Sequence, residues 1–332
     1  MSRVAVLGAG SWGTTLADLL AAKGEDVILW AFEPEVAEEV NRRHTNDLFL
    51  PDAPVHPGVA ATTAVEEAVR GAALVFAATP SHAARAVMGE AAASLGSEAI
   101  VVVASKGLEA GGYKRMSEVM AEVLPVGTAI TALSGPTFAR EVYERQPAAA
   151  VVASRRPEAA VHVQALLATP TFRTYTNDDL IGVELGGALK NVIAIASGIL
   201  DGLRIGHNAR AALITRGLAE ITRLGVALGA KPATFAGLAG MGDLVLTATG
   251  HLSRNRSLGV ALGQGQKLAD FLARRLSVAE GVLTARAAVA LGESVGVELP
   301  IAREVARVLF EGKAPRQAIG DLMERSLTSE IR

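Results

Sequence analysis

The chain has 332 residues, half of them hydrophobic and a fifth charged, with a net charge of −2; that is too long for one ordinary core and suits two domains. No run of Lys or Arg reaches five residues, so a surface that grips a nucleic-acid backbone is not expected. There is no cysteine, which removes disulfides, thiolate metal ligands and cysteine nucleophiles from consideration.

Met1-Ser2-Arg3 runs directly into an apolar segment, Val4 to Leu7, without the regions of a secretory signal. A first strand is expected at Arg3–Leu7, followed at once by Gly8-Ala9-Gly10-Ser11-Trp12-Gly13, a G-x-G-x-x-G pattern. A helical run from Thr14 to Lys23, closed by Gly24, and a second strand at Asp26–Trp30 complete a β-α-β unit. That context turns an otherwise weak pattern into a dinucleotide fingerprint. Gly8 permits the tight turn, Gly10 lets a pyrophosphate approach the backbone, and Gly13 lets helix and strand pack closely. The helix N-terminus offers free N–H groups and the positive end of its dipole to the phosphates. Glu33, 20 residues beyond Gly13, is placed to accept hydrogen bonds from the adenosine ribose, and its charge repels a 2′-phosphate. This favours NAD, while Arg42 and Arg43 stand near enough to compensate; the cofactor choice stays open here.

Further strands are expected at Leu74–Ala77, Ala99–Ala104, Ala129–Leu133, Ala148–Ala153 and Phe172–Thr176. Their alternation with helical patterns marks an α/β fold with a mostly parallel sheet, of Rossmann type. Ligands of such sheets sit outside the carboxyl ends of the strands. Two loops meet that condition: Ser105-Lys106-Gly107-Leu108-Glu109, and Ser134-Gly135-Pro136-Thr137-Phe138-Ala139. A solvated loop lysine is the plain alternative for Lys106.

After Asp179 the β-branched runs nearly vanish and helical patterns take over. This sets a dinucleotide-binding domain at 1–180 and an all-α domain at 181–332. One helix is expected over Asp179–Leu200, and its longest apolar stretch, around Val192 to Leu200, is half of what crosses a bilayer. No membrane insertion is expected, and the cytoplasm is the default location. Lys190 sits in mid-helix among apolar residues, with Gly187, Gly186 and Ala194 at i−3, i−4 and i+4. Small neighbours leave volume for a ligand, and a buried ammonium is costly unless paired or used; the alternative is a lysine snorkelling to water. A second helix is expected from an Asn208 N-cap to Gly229, and a last one over Pro300–Phe310. Between them Asp243 stands at a helix start, where a cap is its ordinary role. Ser253-Arg254-Asn255-Arg256 gathers hydroxyl, guanidinium and amide donors on a polar loop, which suits a phosphate unless it is a solvated turn. The six histidines lack metal-ligand spacing, so no metal is expected.

In this order the motifs resemble the bacterial NAD(P)-dependent glycerol-3-phosphate dehydrogenases over nearly the whole chain. Ala212-Leu213-Ile214-Thr215-Arg216-Gly217, Glu280-Gly281 and Leu299-Pro300-Ile301 add to the likeness. The resemblance implies reversible hydride transfer between NAD(P)H and dihydroxyacetone phosphate, giving sn-glycerol 3-phosphate for phospholipid synthesis, by a homodimer. It makes Lys190 the proton donor and acceptor, supported by Asp243, with Lys106 touching both substrate and cofactor. Gly135, Thr137, Asn191, Asp243, Ser253, Arg254 and Asn255 then line the substrate site. Ser11, Trp12, Ala139, Arg254, Val278 and Glu280 touch the nicotinamide cofactor. In one departure, relatives often carry His or Arg where this chain has Phe32, and a phenyl ring cannot hold a 2′-phosphate. NADH is therefore expected to serve at least as well as NADPH. Two rivals remain: a β-hydroxyacid-type dehydrogenase taking a carboxylate ketone, and a non-catalytic dinucleotide-sensing regulator, which would need a partner-binding module.

Overall fold

Alternate side chains of the first strands point to opposite faces, and both faces are apolar. Val4, Val6, Leu74 and Phe76 join one core cluster, while Ala5, Leu7, Val75 and Ala77 join another. A sheet that is apolar on both faces needs cover on both, which the crossover helices of parallel strands supply. The computed structural model describes residues 3–273, 280–327 and 329–330. In it the strands are β1 (Arg3–Leu7), β2 (Asp26–Trp30), β3 (Val59–Thr62), β4 (Leu74–Ala77), β5 (Ile100–Val103), β6 (Ala129–Ser134), β7 (Ala148–Ser154) and β8 (Phe172–Asn177). They form one sheet in the order β3-β2-β1-β4-β5-β6-β7-β8. Pairing is parallel except between β6 and β7. Strand order reverses at β1, the kind of switch point at which α/β sheets bind ligands.

Every expected strand is present, with ends moved by a residue at β5 to β8. The pattern does not announce β3, a four-residue edge strand with two alanines, which carries little β propensity. The first helix spans Ser11–Ala22, so Ser11, Trp12 and Gly13 form its opening turn instead of a loop before it.

Beyond the sheet, a helix runs over Leu180–Gly202, with the Asp179 carboxylate accepting from Gly182 N at 2.9 Å. This helix is long and apolar enough to cross a membrane, yet 89% of its most apolar window is buried inside the protein. Its apolar surface is consumed by the core, among Leu185, Val192, Ile193, Ile199, Leu224 and Leu258. The helix crosses another, Arg254–Gly263, at glycines. A Cβ at Gly198 would strike the carbonyl of Arg256, and one at Gly259 that of Ile195. Gly202 and Gly263 repeat the arrangement one turn on, so the two backbones touch.

Three expectations need correction. The helix His207–Ala227 takes Gly206 as its N-cap, and Asn208 lies inside the first turn. Pro300–Phe310 has the expected bounds but is not the last helix, since the short Pro315–Met323, with one buried residue, follows. Ser253 to Arg256 is not a loop: Ser253 caps the helix Arg254–Gly263 by accepting from Arg256 N at 3.2 Å, a bond that converts the polar run into a first turn.

Candidate active site

The three glycines of the N-terminal motif have separate physical roles. Gly8 has φ +117, and a Cβ there would meet the Ala78 carbonyl at 2.9 Å; a Cβ at Gly13 would strike the Gly8 carbonyl. At Gly10 a Cβ would meet nothing within 4 Å. Two glycines thus serve packing, and the third faces open space at a helix N-terminus that no side chain caps. The Trp12 indole nitrogen is buried there with no hydrogen-bond partner among the described residues. Open space and unspent donors fit a pyrophosphate. Asn46 donates to Ala9 O and Thr14 Oγ1 at 2.8 Å each, and Ser11 Oγ donates to Phe49 O at 2.6 Å. The Ser11 hydroxyl is therefore committed to the loop that follows the second helix.

After β2, Glu33 holds the N-cap position of the helix Pro34–Arg43 with no side-chain cap bond. Phe32 is 77% exposed and meets Trp30 edge-on, ring centroids 6.4 Å apart. Arg42 and Arg43 are exposed, and their charges are answered by Glu38 and by Asp47, the latter at 3.2 Å.

The loops after β5 and β6 meet the helical half at one carboxylate. Lys106 Nζ donates to Asp243 Oδ2 at 2.8 Å, Gly135 O at 2.7 Å and Thr137 Oγ1 at 3.3 Å. Lys190 Nζ donates to Asp243 Oδ1 and, at 2.9 Å, to Thr247 Oγ1. Two ammonium groups thus share the two oxygens of Asp243, whose side chain is sealed from solvent. Asp243 is not a cap: Gly242 holds that position, and a π-helical turn over Leu238–Gly242 delivers the carboxylate inward. Such turns concentrate at functional sites. Burial, opposed by Asp243 and assisted by Lys106, lowers the Lys190 ammonium to a pKa of about 7. Lys190 does not snorkel.

The glycines beside Lys190 were expected to open space for a ligand; the structure fills it. A Cβ at Gly186 would meet the Ala239 carbonyl at 2.5 Å, and one at Gly187 would meet Ser134 Oγ at 2.5 Å. These positions are small because the π-turn and the end of β6 press against the helix.

Asn191 and Asn255 form a chain of amides. Asn191 Nδ2 donates to Lys106 O, Asn255 Nδ2 to Asn191 Oδ1, and Gly281 N to Asn255 Oδ1, each at 3.0 Å. Arg254 is exposed in the first turn of its helix, and Arg256 instead pairs with Asp201 inside the fold. Glu280 accepts from Ser81 N at 3.0 Å and from Ser81 Oγ, at the start of the helix Ser81–Ala91. Ala139 opens the short helix Ala139–Tyr143, and its carbonyl takes Thr15 Oγ1 at 3.2 Å. Val278 lies outside the described residues. Thr247, Asn46 and Ser81 were not anticipated. The signal for Thr247 was available, because a hydroxyl four residues after Asp243 on a helix shares its face.

Residues 3–160 match the family model described as NAD-dependent glycerol-3-phosphate dehydrogenase N-terminus, and residues 179–320 match its C-terminal counterpart. The chain is 54% identical over 330 residues to a glycerol-3-phosphate dehydrogenase (NAD(P)+) of Geobacter sulfurreducens, covering 99% of this chain and 98% of the relative. Among solved structures it is similar to a glycerol-3-phosphate dehydrogenase from Coxiella burnetii, with a TM-score of 0.94 at 38% identity, covering 98% and 99% of the two chains. The Saccharomyces cerevisiae glycerol-3-phosphate dehydrogenase gives a TM-score of 0.83 at 26% identity, with the same coverage. With both family segments matched in order and relatives aligned end to end, the chain belongs to the NAD-dependent glycerol-3-phosphate dehydrogenase family.

Proposed function

We propose that the protein catalyses the reversible reduction of dihydroxyacetone phosphate to sn-glycerol 3-phosphate with NAD(P)H, supplying glycerophospholipid synthesis. Residues 1–180 hold the dinucleotide and residues 181–332 handle the substrate. The observation that carries this reading is the pair of ammonium groups on one buried carboxylate, at the carboxyl ends of β5 and β6. When bound, the cofactor supplies or accepts the hydride at C2 of the substrate.

The residues of this chain do the rest. Charge that develops on the carbonyl oxygen is met by Lys190, which delivers its proton there; such proton transfer contributes roughly 10²–10⁴-fold. A pKa of about 7 suits both directions, since the ammonium serves reduction and the free amine accepts the proton of the alcohol. Lys106, held by Gly135 O and Thr137, adds a fixed positive charge beside the oxygen. Asp243 orients both. Arg254, with Ser253 and Asn255 behind it, grips the phosphate and so fixes C2 in the cleft. Asn191 and Asn255 each retain a second amide hydrogen for the substrate. Ser11, Trp12, Phe32, Glu33, Ala139 and Glu280 border the dinucleotide. The same reading makes the enzyme a cytoplasmic homodimer with a small phosphorylated substrate.

Oxidation of NADH and NADPH is followed by absorbance with dihydroxyacetone phosphate and, separately, with carboxylate ketones of equal size. Turnover confined to the phosphate ketone is expected. Turnover on the carboxylates alone would overturn the assignment.

A further inference from the structure

Glu184 lies on the helix that carries Lys190 and Asn191, yet it takes no part in the site described above. Its side chain is 6% exposed and reaches into the sheet half of the molecule. One oxygen accepts from Ser117 N at 2.7 Å; the other accepts from Arg115 Nη1 at 2.9 Å and from Ser117 Oγ. Arg115 is itself nearly buried and donates further to Ser117 Oγ at 3.1 Å and Glu118 at 2.8 Å. All three of these bonds come from one short stretch of chain.

That stretch is the far end of the segment that begins at Lys106. Leu108 and Arg115 pair as an antiparallel bridge. Glu109 N donates to Lys114 O at 2.9 Å, and Tyr113 N to Glu109 O at 3.1 Å. Residues 106–115 therefore fold back on themselves as a small hairpin. Arg85 braces its outer side through Glu109 at 2.6 Å. Leu108 pins its inner side into the core of the helical half. Lys106 stands on one leg of the hairpin, and Arg115 with Ser117 ends the other. The helix of Lys190 holds both legs: Asn191 Nδ2 takes the Lys106 carbonyl at 3.0 Å, and Glu184 takes Arg115 and Ser117.

Burial raises the pKa of Glu184, against the pull of Arg115 and the Ser117 bonds. A buried ion pair is seldom the most stabilising filling for such a space, because apolar side chains of similar volume often serve as well or better. What directional bonds add is a fixed register between two pieces of structure. We infer that Glu184, with Arg115 and Ser117, is a positioning residue for the reaction: it locks the Lys106 hairpin to the Lys190 helix and so keeps both ammonium groups on Asp243. The inference rests on the reading of Lys106 and Lys190 as the working pair.

The test uses the full chain carrying Glu184→Gln, Lys106→Met, or both. Misplacing a catalytic group by about 1 Å costs on the order of 10²-fold, so Glu184→Gln lowers kcat by roughly ten- to a hundredfold with dinucleotide affinity unchanged. Its kcat/KM profile for ketone reduction extends to higher pH, because a displaced Lys106 no longer depresses the Lys190 ammonium. In the Lys106→Met background the same substitution changes kcat less than about twofold, since no Lys106 is left to misplace. An equal loss in both backgrounds, or a parental kcat and pH profile in Glu184→Gln, overturns the inference. Should Glu184→Gln lose its thermal transition, Arg115→Lys carries the same comparison without altering the catalytic helix. Lys190→Met with parental turnover removes the reading of the site itself. Loss there, with Glu184→Gln unaffected, removes only the joint.

Discussion

Lys190 and Asp243 form an ion pair in which neither partner reaches solvent: their side chains are 7% and 1% exposed. A methionine fills the space of the lysine stem but has no proton to give. Lys190→Met is expected to cut turnover by roughly 10²–10⁴-fold while dinucleotide affinity, read by tryptophan fluorescence, is retained. Turnover within about tenfold of the parent would remove Lys190 from the proton transfer.

The pH profile follows from the same pair. Lys190 has its ordinary lysine pKa lowered to about 7, with burial as the leading cause. With Lys190 as the proposed proton donor, ketone reduction is expected to be full below that pH and to fall above it, and alcohol oxidation to show the mirror-image limb. Lys106 is one of the groups that lower this pKa, so Lys106→Met should move the limb of kcat/KM to higher pH. A limb that stays in place separates Lys106 electrostatically from Lys190.

A second buried group is expected to make stability depend on pH. The Glu220 carboxylate is 3% exposed and accepts from Ile301 N and Ala302 N at 2.9 Å each, at the start of the helix Pro300–Phe310. Burial raises its pKa from 4.5 to about 7, against both of those bonds. Within that window the folded state keeps a proton that the unfolded state has released. This group's contribution therefore declines as pH rises, by roughly 3 kcal/mol across the window. Glu220→Gln lacks that decline, so its Tm relative to the parent should improve steadily between about pH 5 and pH 7. A Tm difference that is flat with pH would mean the carboxylate stays ionised throughout.

In the proposed site Arg254 holds the phosphate. Arg254→Ala should cost about 1.5–3 kcal/mol in kcat/KM for dihydroxyacetone phosphate, and far less for unphosphorylated dihydroxyacetone. Equal losses on the two ketones would give Arg254 a different task. Dinucleotide affinity is measured alongside, because a guanidinium that also touches the cofactor lowers both.

For the cofactor, Glu33 is the residue proposed to face the ribose and Phe32 beside it brings no cation, while Arg42 and Arg43 are paired with neighbouring acids. NADH is expected to work at least as well as NADPH. Phe32→Arg with Glu33→Ser removes a repulsive charge and adds an attractive one, and should shift the kcat/KM ratio towards NADPH by at least about tenfold. A parent that already prefers NADPH tenfold would turn Glu33 away from the ribose.

Much of the fold was legible because the β-α-β pattern is periodic and local: β1, β2 and β4 fall where the apolar runs place them. The edge strand β3 was not, since two alanines in four residues carry almost no pattern. Lys190 stood out as a cation in an apolar helix, and Asp243 as a carboxylate at a helix start. What joins them is a contact across 53 positions of sequence, which no spacing rule encodes. The same limit hid Glu184, whose partners lie in the other half of the chain. Gly186 was misread for a related reason: smallness shows in the sequence, but whether a ligand or a neighbouring backbone fills the gap does not.

The glycine crossing between the helices Leu180–Gly202 and Arg254–Gly263 acts as a caliper. Lys190 rides on one jaw and Arg254 on the other, and the residues following them, Asn191 and Asn255, are bonded across the gap at 3.0 Å. Because backbone rests on backbone at Gly198 and Gly259, no rotamer can adjust the opening. The spacing of the two helix backbones that carry the proposed proton donor and the proposed phosphate anchor is thus set by main chain alone. Even an alanine at either contact would force the jaws apart, and is expected to alter which chain lengths the enzyme accepts without touching a single charged group.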